Sequence, residues 1–115
     1  MERELKFETV VREDVVFLKL FGSLEVDLQA HLTRVLNSVA PKETDVVLDC
    51  SAINFIDSSC LGTLVSVVKT LRTQNGDIKL ALLTDDVRSI FQITRLDKVF
   101  AIFDTLDEAV ASYYR

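Results

Sequence analysis

Apolar and polar residues begin to alternate from Leu5 to Arg12 (Leu-Lys-Phe-Glu-Thr-Val-Val-Arg), the period of a strand with one solvated face. Glu13-Asp14 supplies a turn, and Val15 to Phe21 reads as a second strand. So short a connection predicts an antiparallel hairpin, ended by Gly22. The period then changes. Leu28, Leu32, Val35, Leu36 and Val39 recur at helical spacing, with Asp27 available as N-cap and Pro41 just past the end. Val46-Val47-Leu48, in a strand running to Cys50, is apolar on both faces, as in a central strand covered on each side.

A second helix follows, from Leu61 to Leu71, with Leu61, Leu64, Val65, Val68 and Leu71 on one stripe. Lys69 and Arg72 sit near its end, and Asn75-Gly76 stops it. Ile78 to Leu83 is another buried-type strand. Asp85 and Asp86 lead a third helix with Val87, Ile90, Phe91 and Thr94 turned inward. Val99 to Phe103 is a short last strand, and Thr105-Leu106-Asp107-Glu108 is a capping box opening a helix with Ala109, Val110 and Tyr113.

The expected order is β-β-α-β-α-β-α-β-α. Alternating units after the hairpin imply parallel strand neighbours and right-handed crossovers. The fold class is therefore α/β, a mixed sheet with about four helices. No repeat, linker or low-complexity segment divides the 115 residues, which are expected to form one domain, 1–115.

Composition narrows the function. With 49% apolar and 27% charged residues the balance is globular. A net charge of -5 with scattered Lys and Arg argues against nucleic acid and anionic membranes, both of which call for a basic stripe. No apolar run approaches the roughly 20 residues of a membrane span, and Met1-Glu2-Arg3-Glu4 lacks a signal peptide's apolar stretch. Cys50 and Cys60 form no CxxC or zinc motif, and a single His31 builds no metal site. The expectation is a soluble, cytoplasmic protein without metal or cofactor.

The run Asn54-Phe55-Ile56-Asp57-Ser58-Ser59-Cys60-Leu61-Gly62 lies between a strand and a helix. The first amides of a helix lack internal partners and carry partial positive charge. Ser58 there is either simply a cap or also a place where a phosphate is tolerated. Phosphate adds about 1.5 to 2 negative charges at pH 7, so a switch at Ser58 acts on an interface rather than on folding. Asp57 reads as cap and loop organiser, since no second titratable group is set against it. Glu25 and Asp27 read as helix-start charges, or as further members of the same rim. Cys60 reads as a small packing residue and Cys50 as core. Neither GxxxxGK[ST] nor GxGxxG occurs, so an enzyme or nucleotide-binding domain is poorly supported.

Asp57-Ser58-Ser59-Cys60-Leu61-Gly62 resembles the D-S-[S/T/A]-G-L-G signature of STAS domains, specifically that of single-domain bacterial anti-sigma factor antagonists. Gly22-Ser23-Leu24-Glu25 is similar to the family's G-x-[L/I]-D, Val47-Leu48-Asp49 to the strand before the signature, Asn75-Gly76 to its turn, and Leu96-Asp97-Lys98-Val99-Phe100 to the stretch before its last strand. The resemblance implies a partner-switching cycle. A GHKL-type serine kinase that is also the anti-sigma factor phosphorylates Ser58; the unmodified antagonist binds that kinase and frees the sigma factor; a PP2C-type phosphatase resets the switch. ATP belongs to the kinase, and this chain is substrate and binding module, not catalyst. The implied partner-binding residues are Ser23, Glu25, Asp57, Ser58, Ser59 and Cys60. Cys60 replaces the usual glycine, adding a side chain where the partner approaches, and Glu25 replaces the usual aspartate. The alternative is a constitutive STAS subunit of a lipid-transport or other signalling assembly with no phosphate cycle.

Overall fold

In the computed structural model, which describes residues 3–114, a hairpin of β1 (Lys6–Arg12) and β2 (Val15–Leu24) leads into α1 (Gln29–Val39). Then come β3 (Asp45–Asp49), β4 (Ile53–Ile56), α2 (Ser58–Thr73), β5 (Asp77–Ala81), α3 (Asp85–Ile93), β6 (Ile102–Phe103) and α4 (Leu106–Ala111). Met1 and Glu2, part of the start read for a leader peptide, and both ends of the expected domain 1–115 lie outside the described residues. The class is the expected one, a mixed α/β sheet with four α-helices among the described residues.

The main sheet runs β1-β2-β3-β5-β6, with β1 antiparallel to β2 and the other neighbours parallel. Alternation along the strands sorts their side chains between two faces. Leu18, Leu20, Val46, Leu48, Ile78 and Leu80 pack with the apolar stripes of α1, α2 and α3 in the larger core. Val15, Val47 and Ala81 face the other way, against Ala109, Val110 and Tyr113 of the C-terminal segment. That segment is fixed by the Tyr113 hydroxyl, which donates to the Val46 carbonyl at 2.6 Å. Thr105 caps α4, its hydroxyl accepting from the Glu108 amide at 3.1 Å, but the Glu108 carboxylate accepts from that same hydroxyl at 3.0 Å rather than from the Thr105 amide, so only half of the expected capping box forms. Thr84, one residue before the two expected aspartates, caps α3 by accepting from the Val87 amide.

Several expectations are corrected. β2 does not end at Gly22. It passes through that glycine at φ +94 and continues to Leu24, with a register shift between Gly22 and Ser23. The shift lets β2 leave β3 and take up β4, a strand absent from the expected order. β1 has no buried face: every residue from Lys6 to Arg12 is exposed, because β1 is an edge strand that no helix covers. Asp27 does not cap α1. It lies in a 3-10 turn (Val26–Leu28), where its carboxylate is held bidentately by Arg3 at 2.9 and 2.9 Å. Thr94 is exposed rather than inward; its hydroxyl donates to the Ile90 carbonyl at 2.7 Å. The last strand shrinks to Ile102–Phe103, since Leu96–Lys98 coils into a 3-10 turn that drives Phe100 edge-on into Phe91, with ring centroids 5.8 Å apart.

Candidate functional site

Two strand ends build the loop before α2. Ser23 pairs with Phe55 and Leu24 with Ile56 in the parallel β2–β4 ladder, and the Asp57 amide continues it by donating to the Leu24 carbonyl at 2.9 Å. Ile53 and Ile56 are buried while Asn54 and Phe55 between them are exposed. Both ends of this short strand are thus anchored in the core, which fixes where the chain turns into the helix.

Asp57, not Ser58, is the N-cap. Its backbone is extended (φ -90, ψ 175) and its carboxylate accepts the Cys60 amide at 3.1 Å, one of the amides left open at a helix start. The same oxygen, Oδ1, accepts the Ser59 hydroxyl at 2.6 Å, a length typical of hydroxyl to carboxylate bonds. The Ser59 bond, followed by the amide bonds, holds the Asp57 carboxyl below the usual carboxylate range, outweighing the opposite push of desolvation. Asp57 is charged at neutral pH and the Ser59 hydroxyl and Cys60 amide are both directed at it, so it serves as an organiser rather than a proton acceptor.

Ser58 is the first residue of α2 and is exposed. The reading of Ser58 as a cap is therefore corrected: the cap position belongs to the preceding aspartate, and among the described residues the Ser58 hydroxyl takes no part in the hydrogen bonds that hold the loop. Ser59 differs, half-buried with its hydroxyl on Asp57 and its carbonyl accepting from Thr63 Oγ1 at 3.2 Å and Gln29 Nε2 at 3.4 Å. Cys60 is wholly buried, its thiol donating to the Glu25 carbonyl at 3.4 Å. It presents no side chain to an approaching partner; instead it ties the α2 start to the loop after β2. Burial raises the Cys60 thiol and pushes Cys50 up to about 12, so neither is an activated nucleophile.

Ser23 is half-buried within the ladder and Glu25 exposed beyond it. Arg3 lies 3.5 Å from Glu25 Oε1 while gripping Asp27. The fold therefore brings Ser23, Glu25 and Asp57 to Cys60 around one rim and leaves Ser58 its outermost hydroxyl. Arg3, Gln29 and Thr63 belong to this assembly but carry no local pattern that marks them. Gln29 and Thr63 act across the α1–α2 boundary, its Nε2 donating to Thr63 Oγ1 at 3.4 Å. Beside them runs an open groove of about 380 Å³ lined by Gln29, Thr33, Ser58, Ser59, Gly62 and Thr63. Among the described residues no three His, Cys, Asp or Glu are grouped to hold a metal ion, and no helix is long and apolar enough to cross a membrane.

The chain is thus an α/β domain, a mixed sheet with a serine-bearing loop at a helix start. The sequence profile of the STAS domain matches residues 6–109, and the chain belongs to the STAS domain family. A Thermotoga neapolitana protein whose name is that of an anti-sigma factor antagonist homologue is 31% identical over 107 residues, spanning 90% of this chain and 94% of the relative. The crystal structure of a Thermotoga maritima protein bearing the same kind of name superposes with a TM-score of 0.87 at 24% identity, over 95% of each chain. The anti-sigma factor antagonist SpoIIAA in its unphosphorylated form gives 0.75 at 22% identity over 96% of each chain; these structural likenesses establish the fold.

Proposed function

We propose that this chain is an anti-sigma factor antagonist whose surface around Ser58 binds an anti-sigma factor, and that phosphorylation of Ser58 by that partner, a GHKL-type serine kinase, ejects it. The names of the sequence relatives support the first part. One observation carries the second. Of two adjacent serines, Ser58 has an exposed hydroxyl free of the loop's hydrogen bonds, while the Ser59 hydroxyl is committed to Asp57 at 2.6 Å. A kinase reaching this loop meets Ser58 first and breaks nothing by modifying it.

The electrostatics set the consequence. The phosphate sits at the N-terminus of a 16-residue helix, where open amides and the dipole favour an anion. Folding is thus spared. The partner meets something different: a dianion beside the charged Asp57, to be desolvated on binding, where an alcohol stood before. Ser23, Glu25 and the groove along α2 complete the docking surface, with Cys60 beneath it as support. A PP2C-type phosphatase restores the alcohol. The chain acts as substrate and ligand in this cycle, and the kinase supplies ATP.

The assignment is tested by incubating wild type, Ser58→Ala and Ser59→Ala with the cognate kinase and ATP and mapping the phosphate by mass spectrometry. One phosphate on wild type and on Ser59→Ala, with none on Ser58→Ala, is expected. Labelling that persists in Ser58→Ala contradicts it.

A further inference from the structure

The outer edge of β1 is unpaired among the described residues, and the strand exposes Val10 by 51% and Val11 by 66%. A free edge of this kind is a template for another strand. Its geometry decides which strand fits. The two-residue turn Glu13-Asp14 makes Arg12 and Val15 a hydrogen-bonded pair, and the pattern alternates from there. Phe7, Thr9 and Val11 therefore turn their amides and carbonyls outward. The side chains of Glu8, Val10 and Arg12 share the opposite-facing row, lining an open groove with Phe17 and Leu106.

From this we infer that β1 pairs antiparallel with β1 of a second copy of this chain, about a dyad at Val10, joining two sheets edge to edge. In that register Thr9 faces Val11 of the second copy, and both have outward peptide groups, so the ladder closes. Val10 faces its own equivalent. Glu8 faces Arg12 of the second copy, and Arg12 faces Glu8, giving two opposite-charge cross-strand pairs. A dyad at Thr9 would set Lys6 against Arg12 twice, and one at Glu8 would set that carboxylate against itself. Among dyads that pair five or more residues of β1, those at Glu8, Thr9 and Val10, the charges thus select one self-complementary register, as an isologous interface requires. The dyad lies opposite Phe17, six residues along β2 from Ser23, or about 20 Å at strand rise; pairing leaves the Ser58 rim open and does not depend on its role. Five residues per strand make a small interface, so the dimer is a reversible one.

Sedimentation equilibrium of the purified chain from ~5 to ~500 µM should show a monomer–dimer equilibrium within that range. Val10→Lys places two ammonium groups at the dyad and should abolish the dimer, with the far-UV spectrum reporting that the variant is folded. Glu8→Arg and Arg12→Glu should each weaken association at least tenfold, and the two together should restore it, since the exchanged pairs again carry opposite charge. A chain that stays monomeric throughout, as it would if the edge accepted only a strand from another protein, overturns the inference. So does a dimer indifferent to Val10→Lys, or one that the double exchange fails to restore.

Discussion

Asp57 Oδ1 is shared by two donors, the Ser59 hydroxyl at 2.6 Å and the Cys60 amide at 3.1 Å, and this sharing separates the roles of the two serines. The Ser59 bond is the main reason the Asp57 carboxyl lies below its ordinary 3.8. A depressed carboxyl contributes stability above its unfolded value and loses it as pH falls through the native one. The Asp57 contribution is therefore complete at neutral pH and disappears only on acidification from about 4 downward. Ser59→Ala should move the Asp57 pKa up towards 3.8, read by carbon-detected NMR titration of its carboxyl, while Ser58 remains the acceptor. An unmoved pKa would show that the Cys60 amide alone holds the carboxylate. The aspartate and both serines stood out in the sequence as a group, but which of them capped the helix did not. Capping depends on one residue of phase at the helix start, and Asp, Ser and Ser are all competent caps. Arg3, which grips Asp27 from 24 positions away, was beyond any local pattern.

At the scale of elements, two glycines near opposite ends of α2 should respond oppositely to alanine. A Cβ on Gly76 collides with the Thr44 carbonyl oxygen and meets Leu71 Cδ1 at 2.7 Å, while Asn75 before it takes the left-handed turn at φ 64. Gly76 is thus required for space. Gly76→Ala should cost about 2 kcal/mol or more in urea unfolding, as overpacking against backbone does. Gly62 lies exposed within α2 with nothing inside 4 Å of its Cβ position, so Gly62→Ala should stabilise by roughly 0.5 to 1 kcal/mol. Because Gly62 also lines the groove beside Ser58, the same variant should bind the anti-sigma factor more weakly despite its firmer fold; unchanged or tighter binding would remove the α2 surface from the docking site.

These elements also show where pattern reading stops. The helical stripes and the apolar runs of β3 and β5 were legible because each repeats over several residues. β4 was not: only Ile53 and Ile56 are buried in its four residues, and its partner is the far end of β2. Gly22 carried a real signal that local reasoning assigned to an ending. The positive φ serves a bulge, and the bulge redirects β2 towards the strand that delivers Asp57.

Taken as a whole molecule, the domain separates its tasks. α4 and Tyr113 close one face of the sheet, three helices close the other, and the Ser58 rim occupies the sheet edge where β2, β4 and α2 converge. Ser58 is exposed at the start of α2, so a phosphate there should displace no buried group among the described residues, and the helix start should tolerate its charge. The chain already carries a net charge of -5, so modification adds a concentrated anionic patch rather than a change in overall character. On the proposed function a switch at Ser58 acts at the surface, and fold stability and partner affinity should respond independently.

Titrating the cognate anti-sigma factor by calorimetry into the unmodified chain and into the chain phosphorylated at Ser58, with a thermal melt of each, separates them most directly. Phosphorylation should weaken the complex at least tenfold, about 1.4 kcal/mol, with the melting temperature nearly unmoved. Equal affinities, or a loss of binding accompanied by global unfolding, would contradict it.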